Sequence, residues 1–404
     1  MFFKGLYPVP GGGAVNSKTL ALDWQINDRT GWGIFGLNLV LHLQSGREII
    51  PILLNPPVNL PENPLQDALL KPALQRYKIL NQAVVQSGST IALDLTILQA
   101  LGNRFIFKGL PVTGKHRVGV IFFEDTFFDR AARQRAAHFE IILTGSTWNE
   151  DVLKAEGFAD VRKVIQGIDP VIFHPAPGGG LFKDRFVIFS GGKLEYRKGQ
   201  DIVLKVFKQF NDRHPEALLL ASWHNAWPET MAEIGTAGYV TGPPGLDRQG
   251  KPEFEKWLVE NGVNTENFVV IPETPNVYMA GIMREADVAL FTNRAEGGTN
   301  LVAMECLACG VPTILPANTG HLDFTDSRIC YPLVKQDPVA ATPVMRQTEG
   351  WGETNVEEAL EKLENVYADY TAARERAGRA VKRMQSFTWE KQVRRLVSTL
   401  DDIL

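Results

Sequence analysis

Short apolar runs punctuate this chain, each bounded by polar or glycine- and proline-bearing turns. Thr19–Ile26, Glu48–Leu54, Arg117–Phe123, Phe139–Leu143 and Val161–Ile165 are such runs in the first part. Phe186–Phe189, Ala217–Ser222, Phe268–Ile271, Ala286–Thr292 and Val311–Leu315 repeat the pattern later. Continuous apolar runs of this length predict parallel strands covered on both faces. Between them, helical spacing predicts helices over Ile34–Gln44, Thr147–Glu156, Ile202–Asn211, Glu253–Asn261 and Val277–Arg284. Residues 55–103 are proline-rich, then helical, and 355–384 read as one long charged helical stretch. Thr388 caps a last helix starting at Trp389 and Glu390. The alternation predicts an α/β chain. It breaks at Ile168–Asp184, which carries three prolines and three glycines, so the domain boundary belongs there.

The stretch Ala286–Pro316 carries the clearest chemistry. A strand leads into the loop Asn293–Gly298, and a helix begins at Thr299 or Asn300. Leu301, Val302, Met304, Leu307 and Ala308 share its apolar face, and Gly310 and Pro312 end it. A helix start presents unpaired N–H groups and a partial positive charge, which favour an anion. Gly297 and Gly298 carry no Cβ, so a phosphate can approach their backbone. Glu296 and Glu305 flank the helix start, and a carboxylate accepts hydrogen bonds from sugar hydroxyls. One loop can thus hold a nucleoside diphosphate and its sugar. The plain alternative is an ordinary strand–helix unit.

Composition narrows the class. The chain has 404 residues, 44% of them hydrophobic and 22% charged, with net charge −4. That length favours more than one domain, and the mild acidity argues against nucleic-acid binding. The N-terminal apolar run is too short for a signal peptide, and no segment reaches the roughly 18 apolar residues of a membrane span. The expectation is a cytoplasmic protein, with peripheral membrane association left open. Cys306, Cys309 and Cys330 are three, and Cys306 and Cys309 fall inside a helix without a second ligand pair, so they read as packing residues. Gly11–Gly13, within a proline- and glycine-bearing start, read as a loop.

Two loops at strand ends in the first half are candidate ligand positions. One is Asn27–Gly33, with Asp28, Arg29, Thr30, Gly31 and Trp32. The other is Glu124 and Asp125, directly after a buried run, where acids are costly unless solvated or paired. Arg130, Arg133, Arg135 and His138 follow on a helix, read as a solvated basic face with a lipid-facing patch as the sharper alternative.

The segments IQGIDPVIFHP, SGGKLEYRKG, EADVALFTNRAEGGTNLVAMECLACGVPTI and FTWEKQ together resemble the retaining nucleotide-sugar glycosyltransferases of family 4. The resemblance runs from about Phe139 onward. It implies the GT-B architecture: two Rossmann-like, doubly wound domains, residues 1–170 and 171–385, facing across a cleft. A closing helix, 386–404, would cross back to the first domain. It implies that Lys193 and Lys198, with Arg197 able to substitute, meet the donor diphosphate. Glu296 would lie beside the transferred sugar and Glu305 at the ribose. Gly297, Gly298, Thr299, Asn300 and Leu301 would line the phosphates, with Thr274 on the same donor side. Glu124 stands where many members carry a histidine. The two glutamates have eight residues between them here, one more than is usual in the family.

The implied activity is transfer of a sugar from a nucleoside diphosphate, with retention, to a glycan, lipid-linked or protein acceptor. No cofactor or metal is expected, since no Asp-x-Asp pair sits in a metal-binding context. Donor binding is expected to close the cleft about a hinge near Pro175–Gly180. Two other readings compete. One is a sugar-nucleotide epimerase using Glu124, Asp125, His224 and His321 as acids and bases. The other is a non-catalytic nucleotide-sugar-binding protein.

Overall fold

A computed structural model describes residues 18–46, 48–60, 63–225 and 227–404. The glycine triplet Gly11–Gly13 lies outside the described residues. The first sheet contains β1 (Lys18–Leu22), β2 (Ile49–Leu53), β3 (Thr96–Leu101), β4 (His116–Ile121), β5 (Ile141–Thr144) and β6 (Val161–Lys163). Its order is β2-β1-β3-β4-β5-β6, and every pair is parallel. Helices α1 (Gly31–Gly46), α2 (Pro64–Ser87), α3 (Arg130–Ala136) and α4 (Thr147–Ala155) connect these strands.

The second sheet contains β7 (Phe186–Lys193), β8 (Ala217–His224), β9 (Phe268–Val270), β10 (Val288–Leu290), β11 (Thr313–Pro316) and β12 (Tyr331–Leu333). Its order is β9-β8-β7-β10-β11-β12, again all parallel. This is the doubly wound dinucleotide-fold order, whereas the first sheet opens in the 2-1-3-4-5 order of the flavodoxin type. Its helices are α5 (Gln200–Asn211), α6 (Phe254–Glu260), α7 (Asn276–Met283), α8 (Leu301–Ala308), α9 (Val356–Ala368) and α10 (Tyr370–Met384). Strands such as Ala217–His224 are apolar at nearly every position because layers on both faces remove them from water.

The chain passes between the sheets twice. Ile168 N donates to Phe387 O at 2.8 Å, and Trp389 N to Ile168 O at 3.0 Å, so the two crossings run side by side. Helix α11 (Trp389–Thr399) then lies on the first domain. Trp389 stacks on Phe35 at 6.0 Å, and Val393, Leu396 and Leu400 join the cluster around Leu20 and Leu22.

Several elements differ from expectation. Thr96–Leu101 is a central strand inside a region read as helical. Its sequence, TILQAL, has no clean period, and its neighbours on both sides fix it. Residues 355–384 form two helices, broken at Asp369, whose side chain caps Ala372 N at 3.0 Å. Arg130, Arg133 and His138 are exposed, as a solvated basic face requires, and Arg135 is half-buried. Arg133 binds the Glu156 carbonyl at 2.7 Å and its carboxylate, and Arg135 binds the Arg104 carbonyl at 2.9 Å. Among the described residues, no helix is long and apolar enough to cross a membrane.

Candidate active site

In the second sheet the order reverses between β7 and β10, and ligands of open α/β sheets bind beyond the carboxyl ends of strands at such a point. The chain leaves β7 through Leu194–Gly199 and β10 through Phe291–Asn300. Arg294 joins these two loops. Its side chain is fully buried, forks onto both Asp201 oxygens at 2.9 and 2.7 Å, and donates to Tyr196 O at 2.6 Å. It also pairs with Glu353 and lies over the Tyr196 ring at 3.9 Å. Its backbone N–H reaches Arg197 O at 2.8 Å. A guanidinium with this many planar partners fixes both loops at once. Sequence reading passed over Arg294, because a lone arginine in a loop carries no pattern.

On this frame six charges meet. Glu296 contacts the Lys198 ammonium, and its Oε2 lies 3.1 Å from Arg197 Nη1. Arg197 also pairs with Glu195, and its Nη2 is 3.4 Å from Glu124. Lys193, at the end of β7 rather than in a free loop, holds Glu195 at 2.7 Å. Three cations thus face three carboxylates. Burial works to raise Glu296, but the Lys198 and Arg197 charges outweigh it and hold the carboxyl down at about 2. Burial raises Glu124 despite Arg197. At Glu195 burial also raises, yet Arg197 and Lys193 prevail and lower it.

The start of α8 lies beside this cluster. Among the described residues, no hydrogen bond uses the N–H of Gly298, Thr299, Asn300 or Leu301. The Thr299 hydroxyl is buried and has no partner among the described residues either. Asn300, in the left-handed region at φ 51, caps the helix through Ala303 N, and the helix begins one residue later than expected. Behind the loop, Thr319 Oγ1 accepts Glu296 N at 2.9 Å, and Gly320 N donates to Glu296 O at 3.0 Å. A Cβ on Gly320 would meet Gly298 O at 1.7 Å, so only glycine fits. His321 is fully buried, and burial lowers its pKa to about 4 against the pull of Glu296.

Glu305 faces different surroundings. It is 4% exposed, and Asn276 Nδ2 donates to it at 2.8 Å. Burial pushes its carboxyl up to about 8, with only that amide opposing. Burial thus favours its neutral form, which can donate a hydrogen bond as well as accept one, whereas the sequence alone implies an acceptor only.

The glycine loop is covered by the first domain, and all of Phe291–Asn300 is buried. A Cβ on Gly297 would lie 2.5 Å from Phe123 O, so the space expected for a phosphate there holds first-domain backbone. Ser146 Oγ donates to Gly297 O at 2.8 Å, and Thr147 N to Asp323 Oδ2 at 2.8 Å. A strap, residues 338–352, closes the opposite side. A two-stranded ribbon, Gln336–Asp337 with Glu353–Thr354, holds its base. Trp351 Nε1 donates to Glu124 O at 3.0 Å, and Thr126 N to Gln347 O at 3.1 Å. The expected donor-driven closure thus meets a seam that is already closed.

Other candidates from the first half also move. Asp125 is buried, 3.6 Å from Arg104 Nε, and accepts Gln347 N at 3.2 Å, so it faces the strap and not an open cleft. Trp32 packs on Phe122 at 4.6 Å and accepts from Trp24 through its carbonyl. The Thr30 hydroxyl donates to Asn27 Oδ1 at 3.1 Å, and Gly31 opens α1. Arg29 spans Asp28 and Glu273 at 3.8 and 3.7 Å. Thr274 donates to Pro272 O at 2.7 Å, within its own loop. Asp125 turns to Arg104, and His224 lies 3.5 Å from the Ser222 hydroxyl, so Glu124, Asp125, His224 and His321 do not form one acid–base set.

Residues 177–329 match the model for glycosyl transferases group 1, and residues 273–396 that for the family 4 glycosyltransferase in conflict systems. The D-inositol 3-phosphate glycosyltransferase 1 of Catenulispora acidiphila is 28% identical over 193 residues, which is 46% of this chain and 42% of that protein. The chain is GT4-like, and its fold is GT-B. A GT-B sucrose-phosphate synthase from Thermosynechococcus elongatus superposes with TM-score 0.63 at 14% identity, over 96% of this chain and 99% of that one. Anabaena HepE, solved with UDP and glucose, gives TM-score 0.62 at 13% identity, over 96% and 100%. The GT4-like sequence match centres on the second domain, where the helix start and the six-charge cluster lie. The chain spans about two fifths of the length of the curated relatives it matches.

Proposed function

We propose that this GT4-like chain transfers a sugar from a nucleoside diphosphate to an acceptor hydroxyl, retaining the anomeric configuration. The observation that carries the reading is the start of α8. Four consecutive N–H groups and the Thr299 hydroxyl lack partners among the described residues, beside Arg197 and Lys198. Buried donors are normally satisfied, and a phosphate would satisfy these.

In this reading the diphosphate takes Lys198 and Arg197 away from Glu296. Both cations then stabilise the charge that builds on the departing nucleoside diphosphate. Glu296, released but still ionised, faces the positive charge at the anomeric carbon. Glu305 and Asn276 meet the ribose. Glu124, 3.4 Å from Arg197, helps to position that cation. Entry of the donor requires the seam at Gly297 and the strap at Trp351 to separate. Leaving-group stabilisation by side-chain cations makes a metal unnecessary. HepE has been solved with UDP-glucose, so UDP-sugars are the first donors to test.

The experiment is incubation with UDP- and GDP-sugars plus polyol, sugar and lipid-linked acceptors, with chelator present, followed by proton NMR of the product. Release of nucleoside diphosphate with an anomer matching the donor supports the proposal. Inversion, dependence on added metal, or failure to bind any nucleotide sugar contradicts it. A new sugar epimer formed without acceptor would establish the epimerase instead.

A further inference from the structure

Asp28 is a buried carboxylate in the loop that follows β1. It is 2% exposed, and among the described residues neither carboxylate oxygen has a hydrogen-bond partner. Arg29 Nε stands 3.8 Å from Oδ1, beyond hydrogen-bond reach, and its guanidinium is shared with Glu273. A buried charge needs a counter-ion, a proton or a coordinated metal.

Asp28 lines a cavity of about 20 Å³, together with Asn38, Gln66, Asp169 and Asn276. Among the described residues, hydrogen bonding leaves oxygens free on this wall. Asn38 spends its amide N–H on Ile34 O at 2.9 Å, and Asn276 spends its own on Glu305 at 2.8 Å, so each retains an uncommitted Oδ1. Asp169 Oδ1 accepts Val171 N at 2.8 Å, which leaves Oδ2. The available donors are therefore carboxylate and amide oxygens, the ligand set of hard cations. The volume suits one water-sized occupant. The two carboxylates with Arg29 nearby leave one net negative charge, which a single monovalent cation balances. Among the described residues, no group of three His, Cys, Asp or Glu gathers to hold a metal.

We propose that this cavity binds a single monovalent cation, sodium or potassium, on the Asp28 carboxylate and the surrounding amide oxygens. The site lies at the seam of the two domains. Asp28 follows β1, Asp169 lies on the connection between the sheets, and Asn276 opens α7. Asn276 N also donates to Asp28 O at 2.9 Å. The ion therefore stabilises the closed seam. Through Asn276, it is one side chain away from Glu305. The proposal stands on this geometry alone and does not depend on the transferase reading.

The test is thermal unfolding of the whole chain in sodium, potassium or tetramethylammonium chloride at equal ionic strength. Tetramethylammonium is too large for the cavity. A ligand bound only by the folded state raises the midpoint saturably. The expected result is a saturable rise with sodium or potassium over tetramethylammonium. Asp28→Asn, which keeps the backbone bond to Asn276, loses that response, and Gln66→Leu shifts its saturation to higher salt. Equal midpoints in all three salts would mean that water or a proton satisfies Asp28, and would overturn the proposal. A response to magnesium or calcium alone, or an undiminished response in Asp28→Asn, would overturn it equally.

Discussion

Glu305→Gln separates a buried neutral acid from a buried carboxylate. Glu305 is 4% exposed, has one amide partner, and keeps its proton up to about pH 8, against a usual 4.5. In the unfolded chain the carboxyl ionises near that usual value. Between the two values the folded protein therefore binds more protons than the unfolded one. Stability contributed at this position is greatest below about 4.5 and falls as pH rises toward 8. One pH unit is worth about 1.4 kcal/mol, so the interval corresponds to roughly 5 kcal/mol as an upper bound. Even a third of it, about 1.5 kcal/mol, is resolved by urea unfolding. Glutamine keeps the shape and the oxygen that accepts from Asn276, but cannot ionise. Other groups titrate in the same range, so the quantity to measure is the stability difference between variant and wild type from pH 5 to 9. It should be near zero at pH 5 and grow in favour of Glu305→Gln to a plateau above pH 8. A flat difference, or a variant that loses ground with rising pH, would show that Glu305 is ionised in the fold and refute the reasoning.

Lys198→Ala should lower turnover on the order of 10²–10³ while circular dichroism stays unchanged, because one cation at the leaving diphosphate is lost; wild-type turnover in the folded variant would remove Lys198 from the site. Gly320→Ala puts a Cβ 1.7 Å from Gly298 O, so the glycine loop must shift. Donor affinity should fall sharply in calorimetry, and unchanged affinity would separate the loop from donor binding. Gly350→Val adds a Cβ 2.6 Å from Trp148 Nε1 at a position with φ +79, which should lift the strap from the first domain. Small-angle scattering should then show a larger radius of gyration, whereas a curve identical to wild type would mean that the strap does not hold the seam.

The repeated apolar runs made both sheets legible, because strands buried on two faces carry the signal in each segment alone. Thr96–Leu101 was not legible. Its strand character comes from β1 and β4 on either side. The loop Asn293–Gly298 and its helix were found from glycines and a break in period, yet what covers Gly297 is Phe122 and Phe123, distant in sequence. Arg294, Thr319 and the strap went unseen for the same reason. Each acts through partners far along the chain, and none repeats with a period. Glu296 and Glu305 were picked out together, but their opposite protonation follows from neighbours. Two cations flank the first, and one amide meets the second.

The central claim is that the start of α8 with Arg197 and Lys198 forms a diphosphate site. Titration calorimetry of nucleoside diphosphates against the matching monophosphates tests it most directly, in wild type and in Lys198→Ala. The account predicts that wild type binds UDP or GDP well above UMP or GMP, and that Lys198→Ala loses most of that preference while its monophosphate affinity changes little. Equal affinity for mono- and diphosphates in wild type, or a preference that survives in Lys198→Ala, would contradict it.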